Sequence, residues 1–169
     1  GMWASDTAEL AFDSMRVPEE NLLGTEGKGF HQLAEGLQRE RIMAAVLSVS
    51  ASTQALEDCQ TYLGERTAFG GPLSEFQALR HRMADMATNI EAARRLTYHA
   101  ASMYATDREC TSEVSMAKLF ATETANRIAY DAVQLHGGYG YIRETRVERF
   151  ARDYRLWTIA AGTSEIMRE

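Results

Sequence analysis

The sequence predicts an all-α domain, an antiparallel helical bundle with one short β-strand left over at its N-terminal end. From Phe30 onward, apolar residues recur in steps of three and four over long stretches. Glycine and proline cluster near residues 24–29, 70–72, 137–138 and 162, and so punctuate those stretches. The connections left between the helical segments are short, which favours antiparallel neighbours.

Residues 1–29 read differently from the rest. Leu10, Phe12, Met15 and Val17 suggest a strand, ended by Pro18 and by the turn from Asn21 to Gly24. A lone strand is not stable, so its partner is expected to lie outside this sequence. Gly1 ahead of Met2 reads as an expression remnant, so the natural start of the polypeptide is expected elsewhere. The first helix is expected from about 30 to 66, followed by a break near Gly70, Gly71 and Pro72. Ser74 and Gln77 have the spacing of a capping box for the second helix. Phe76, Leu79, Met83, Met86, Ile90, Ala93, Ala100 and Tyr104 form its apolar stripe, which reads first as core. After a break at 106–111, Val114, Ala117, Ala121, Ile128 and Leu135 carry a third helix that stops at Gly137 and Gly138. A shorter helix is expected over 144–151, and Gly162 to Ser164 reads as a turn before a new helix start.

Composition narrows the function classes. The 169 residues are 45% hydrophobic and 25% charged, enough for a packed core. The net charge of −6 argues against a nucleic-acid or anionic-membrane surface. Arginines 143, 146, 149, 152 and 155 alternate with Glu144, Glu148 and Asp153, and read as locally paired. Cys59 and Cys110 lack metal-ligand spacing, and reduced thiols are the default. His31, His81, His99 and His136 share no spacing either, so no metal site is expected. No targeting segment is visible, and a cytoplasmic location is the expectation.

Several motifs then occur in a fixed order. Arg16-Val17-Pro18 is followed by Asn21-Leu22-Leu23-Gly24 and by Glu26 to Phe30. Arg66-Thr67-Ala68-Phe69-Gly70-Gly71-Pro72-Leu73 precedes Phe76-Gln77 and Met83-Ala84-Asp85-Met86. Gln134-Leu135-His136-Gly137-Gly138-Tyr139-Gly140-Tyr141 precedes Arg152-Asp153-Tyr154-Arg155, Ile159 and Gly162-Thr163-Ser164-Glu165-Ile166. In this order and spacing the set resembles the C-terminal helical domain of the acyl-CoA dehydrogenases, over almost the whole sequence. The resemblance implies that residues 1–29 are the end of a middle β domain with its linker. It also implies that 30–169 are a four-helix-type bundle whose final helix is cut short.

The resemblance implies an FAD enzyme that converts an acyl-CoA thioester to the trans-2-enoyl-CoA. A carboxylate removes the α-proton, and the β-hydrogen leaves as hydride to the flavin. The family's most common position for that base falls on Ala161, which cannot accept a proton. One branch, including isovaleryl-CoA and long-chain type enzymes, carries the base on the first helix of this domain, and the matching residue is Glu40. Helical spacing places Glu40 in line with Leu33, Leu37, Ala44, Leu47 and Ala51, the setting a desolvated base requires. Taken alone, that spacing fits a surface glutamate at least as well. Arg41 matches an arginine near the bound acyl-CoA.

By the same resemblance, Arg66 reaches the FAD pyrophosphate across a subunit interface, a role suited to a guanidinium fork. Phe69 and Gln77 contact the partner's FAD. Gln134, Gly137 and Gly138 approach its adenosine end, although a helix C-cap uses glycine too. Thr163 and Glu165 touch FAD near a helix start. A homodimer or homotetramer follows from a shared FAD site, with an electron-transfer flavoprotein as electron acceptor. An acyl-CoA oxidase passing electrons to oxygen, and a non-catalytic helical interaction module, are the competing readings.

Overall fold

The computed structural model describes residues 1–169. Three long helices dominate it: α1 (Gly29–Glu65), α2 (Gln77–Ala105) and α3 (Thr111–His136). A short helix α4 (Arg146–Asp153) follows, then single-turn 3-10 segments to the C-terminus. Helix α1 spans about 55 Å at 1.5 Å per residue. No helix is long and apolar enough to cross a membrane.

Consecutive long helices are antiparallel, so α1 and α3 run parallel and lie side by side. Two apolar clusters show this. One joins Ala45 and Val49 of α1 to Ala100 and Met103 of α2 and Val114 and Ala117 of α3. The other joins Cys59 and Leu63 to Met86 and Ile90, to Ile128 and Leu135, and to Val147 of α4. The α1–α3 seam is built from small side chains: Ala44, Ser48, Ala51, Ser52 and Ala55 on one side, Ala117, Ala121, Ala125 and Ala129 on the other. Small residues let two helices approach closely and make many weak contacts.

Ser48 is fully buried in that seam, and its hydroxyl has no hydrogen-bond partner. An unmet buried hydroxyl costs about 1–3 kcal/mol. Ser48→Ala is therefore expected to raise the unfolding free energy by about 1 kcal/mol. Chemical denaturation measures it, and a loss of stability would contradict the packing described.

Three expectations need correction. Residues 10–17 form no strand: Leu10, Phe12, Met15 and Val17 are all exposed, and 1–28 contain only turns, bends and a 3-10 turn at Glu19–Asn21. A strand needs a neighbour for its backbone N–H and C=O groups, and nothing in this chain offers one. The sheet present is a two-residue hairpin, β1 (Thr67–Ala68) paired antiparallel with β2 (Gly71–Pro72). Second, Ser74 does not cap α2. A 3-10 turn over Leu73–Glu75 closes first, and Phe76 precedes the helix with no side-chain cap bond; its carbonyl accepts from the Leu79 and Arg80 amides. Third, Phe76 and Tyr104 are exposed at the ends of the α2 stripe, whereas Thr97 and Met103 are buried. The buried stripe has the expected phase but is shorter, with Met86, Ile90, Ala93 and Ala100 at its centre.

Candidate functional site

The first three turns of α1 project past the rest of the bundle, and contact begins near Gln38, whose amide donates to Thr111 Oγ1 at 2.9 Å. Glu40 stands at this rim and is exposed. The apolar line expected around it divides: Ala44 and Ala51 pack inward, while Leu33 and Leu47 are exposed. The desolvated setting expected for Glu40 is therefore not supplied by this chain's own residues.

Next to Glu40, Arg41 Nε donates to the Ala161 carbonyl at 3.1 Å. Lys118 Nζ, from α3, donates to the next carbonyl, Gly162 O, at 2.5 Å. Both loop residues have left-handed backbone, with φ of 56° at Ala161 and 106° at Gly162. This conformation is disfavoured for alanine. At Gly162 a Cβ would also stand 2.9 Å from the Met167 methyl. That methyl ends a flexible side chain and can move, so it is the backbone conformation that favours glycine there.

Thr163 and Glu165 continue this loop into a polar cleft lined also by Asn126, Arg127, Arg155 and Thr158. Ser164 N–H donates to Thr158 O at 3.0 Å, which folds the loop back on itself. The Glu165 carboxyl is held below the usual carboxylate range, first by its own backbone N–H and then by the Thr163 hydroxyl. The two arginines share the cleft with the carboxylates of Glu123 and Glu165, so its lining is polar and of mixed charge.

The remaining expected cofactor positions gather at the opposite end of the bundle. Arg66 follows α1 directly, its N–H bonded to Tyr62 O at 2.9 Å, and its guanidinium forms no ion pair. It lines a groove with Tyr62, His136, Gly137, Gly138 and Ile142. Gly137 ends α3 with φ 57°, and a Cβ on Gly137 or Gly138 would meet nothing within 4 Å. The backbone conformation, not crowding, favours glycine at 137; at 138 the surface is simply open. Gln134 is exposed one turn earlier, and Gln77 is exposed as the first residue of α2.

Phe69 occupies the hairpin tip with φ 56° and is 94% exposed, meeting Phe76 edge-to-face at 6.1 Å between ring centres. With Gly70 at φ 94°, the two central residues fit a tight hairpin turn. An aromatic residue in left-handed backbone with its ring in solvent is rare, and such strain collects at binding sites.

Arg66 lies 25 residues along the chain from Arg41, about 38 Å at helical rise. The Thr163 loop, held at Ala161 by Arg41, lies toward that far end of α1. The expected flavin contacts thus form two sets, one at each end of the molecule.

Two features escaped the sequence reading. Lys118 is fully buried; it stands one turn after Val114 and one turn before Ala121, in phase with the α3 stripe, and only its charge argued for the surface. His136 is buried, stacked on Tyr62 at 4.5 Å, with Nδ1 2.8 Å from Ala132 O, so the tautomer protonated there donates to that carbonyl. Beside it, burial, then Asp58 and Asp131, push the Cys59 thiol up to about 12, which leaves it unreactive at neutral pH.

The family model described as the acyl-CoA dehydrogenase C-terminal domain matches residues 27–169. The chain belongs to the acyl-CoA dehydrogenase family. It is 45% identical over 168 residues to an acyl-CoA dehydrogenase of Bacillus subtilis (strain 168), covering 99% of this chain and 44% of that protein. It is 42% identical over 166 residues to the caffeyl-CoA reductase-Etf complex subunit CarC of Acetobacterium woodii, covering 98% of this chain and 44% of that one. The crystal structure of an acyl-CoA dehydrogenase from Geobacillus kaustophilus superposes with a TM-score of 0.90 at 43% identity, covering 93% of this chain and 41% of that one. This acyl-CoA dehydrogenase domain therefore spans less than half the length of these relatives. Its long helices and short hairpin are the family's C-terminal bundle.

Proposed function

We propose that this domain is the C-terminal part of an FAD-dependent acyl-CoA dehydrogenase, with Glu40 as the base that takes the α-proton of the acyl thioester. One observation carries the reading. The Arg41–Ala161 hydrogen bond sets the Glu40 turn of α1 against the loop where the family's usual base position is an alanine. A carboxylate on α1 then replaces the one missing from the loop. It lies beside the segment that carries Thr163 and Glu165.

The residues present fit a bound FAD. Arg66 is exposed and unpaired, Phe69 is presented on a strained tip, and open space surrounds Gly137 and Gly138. Arg66, Phe69, Gln77, Gln134, Gly137 and Gly138 would hold one FAD from the hairpin end, and Thr163 and Glu165 would hold another from the loop end. Two sets so far apart support a homodimer or homotetramer in which each FAD lies between subunits. FAD, when bound, supplies the acceptor for the β-hydrogen's hydride.

Glu40 has to be kept dry, because desolvation raises a carboxylate's proton affinity and makes it a stronger base. The covering walls would come from outside these 169 residues. Arg41 steadies the Glu40 turn and lies near the acyl-CoA. An electron-transfer flavoprotein is the proposed electron acceptor, supported by the likeness to an Etf-complex subunit. A cytoplasmic location belongs to the same proposal.

The test compares the 169-residue chain with the complete polypeptide. The short chain is expected to be helical and colourless. The complete protein is expected to be yellow and to bleach when an acyl-CoA is added without oxygen. Tight FAD binding by the short chain alone would contradict the split site.

A further inference from the structure

Lys118 is the largest fully buried side chain in the molecule. Lysine is almost never fully buried without a carboxylate partner. None of the chain's ion pairs includes Lys118, and its ammonium instead donates to Gly162 O. Burial, then the nearby Arg41 guanidinium, push its pKa down, against a smaller opposing pull from Glu165. A methionine or leucine would fill the same space without burying an amine. What lysine adds is an N–H donor at a fixed point, on a stem rooted one helix away from Arg41.

That point is well chosen. Arg41 and Lys118 hold two consecutive carbonyls, Ala161 and Gly162, of a loop in left-handed backbone. The Met167, Ile166 and Arg41 side chains gather on the side of Gly162 where a Cβ would stand, so the loop packs against both of its neighbours there. Its next residues are the proposed flavin contacts Thr163 and Glu165, and the neighbour of Arg41 is Glu40. We infer that Lys118 is a positioning residue: by holding the Gly162 carbonyl it fixes the 161–165 loop relative to Glu40, and so sets the alignment of base, thioester and flavin. The inference rests on the dehydrogenase reading above. A displacement of about 1 Å in such an alignment can cost on the order of 100-fold in rate.

The experiment uses the complete flavoprotein with Lys118→Met. The variant is expected to keep its helix content and FAD. KM should stay within about threefold of wild type while kcat falls about 10- to 100-fold. Amide exchange over residues 159–167 should accelerate by about tenfold or more, with the protected amides of α1, α2 and α3 unchanged. Lys118→Gln, which retains an N–H donor on a shorter stem, should fall between; it carries the test if the methionine variant does not accumulate. Unchanged kcat with unchanged exchange at 159–167 overturns the inference. So does faster exchange spread evenly through the helices, which would make Lys118 a packing residue. A wild-type protein that holds no flavin, or that no acyl-CoA bleaches, counts against the dehydrogenase reading alone. The exchange comparison then still decides whether Lys118 holds the loop.

Discussion

Glu40→Gln in the complete flavoprotein is expected to abolish bleaching by acyl-CoA while leaving the protein yellow. The amide is nearly isosteric and cannot accept the α-proton. Loss of a positioned base removes about 10²- to 10⁴-fold in rate, and the upper end applies where the base does all the proton transfer. Ala161 offers no substitute carboxylate in the loop that Arg41, the next residue after Glu40, holds. FAD should remain bound, because Glu40 lies outside both sets of flavin contacts. Rapid-mixing absorbance under anaerobic conditions measures the effect. Bleaching at the wild-type rate would mean that the base lies elsewhere.

Leu63→Ala is expected to destabilise the fold by about 2–5 kcal/mol. Leu63 is fully buried near the C-terminal end of α1, in the cluster with Cys59, Met86, Ile90, Ile128, Leu135 and Val147. That cluster ties all four helices together, so the cavity opens where each helix depends on the others. A domain of this size is stable by only about 5–15 kcal/mol, so the loss is large. Denaturant unfolding gives the number. A change below about 1 kcal/mol would show that the helices close the gap, or that the cluster is less tightly packed than described.

The helices were legible because their signal is local. Steps of three and four placed α1, α2 and α3, and the glycines at 70, 71 and 137 marked ends close to those found. What was missed depends on neighbours. Leu10 to Val17 alternates like a strand, but alternation does not supply a partner. Ser74 and Gln77 have capping-box spacing, but a 3-10 turn used the intervening residues first. Helical phase on α1 put Leu33 and Leu47 in line with Ala44 and Ala51, and did not show that only the small residues of that line face α3. The candidate site divides the same way. The motif order brought Arg66, Gly137 and Gly138 into one groove and Thr163 and Glu165 into another. The rim position of Glu40 follows from tertiary packing, which no spacing along one helix encodes; Lys118 is in phase with the α3 stripe, and its charge masked that signal.

The most direct measurement is an anaerobic titration of the complete protein with a panel of acyl-CoA thioesters, following the flavin's colour. The account predicts that the protein is isolated yellow and that at least one thioester bleaches it. A yellow protein that no thioester reduces, or a folded protein that holds no flavin, would contradict it and favour a helical interaction module instead.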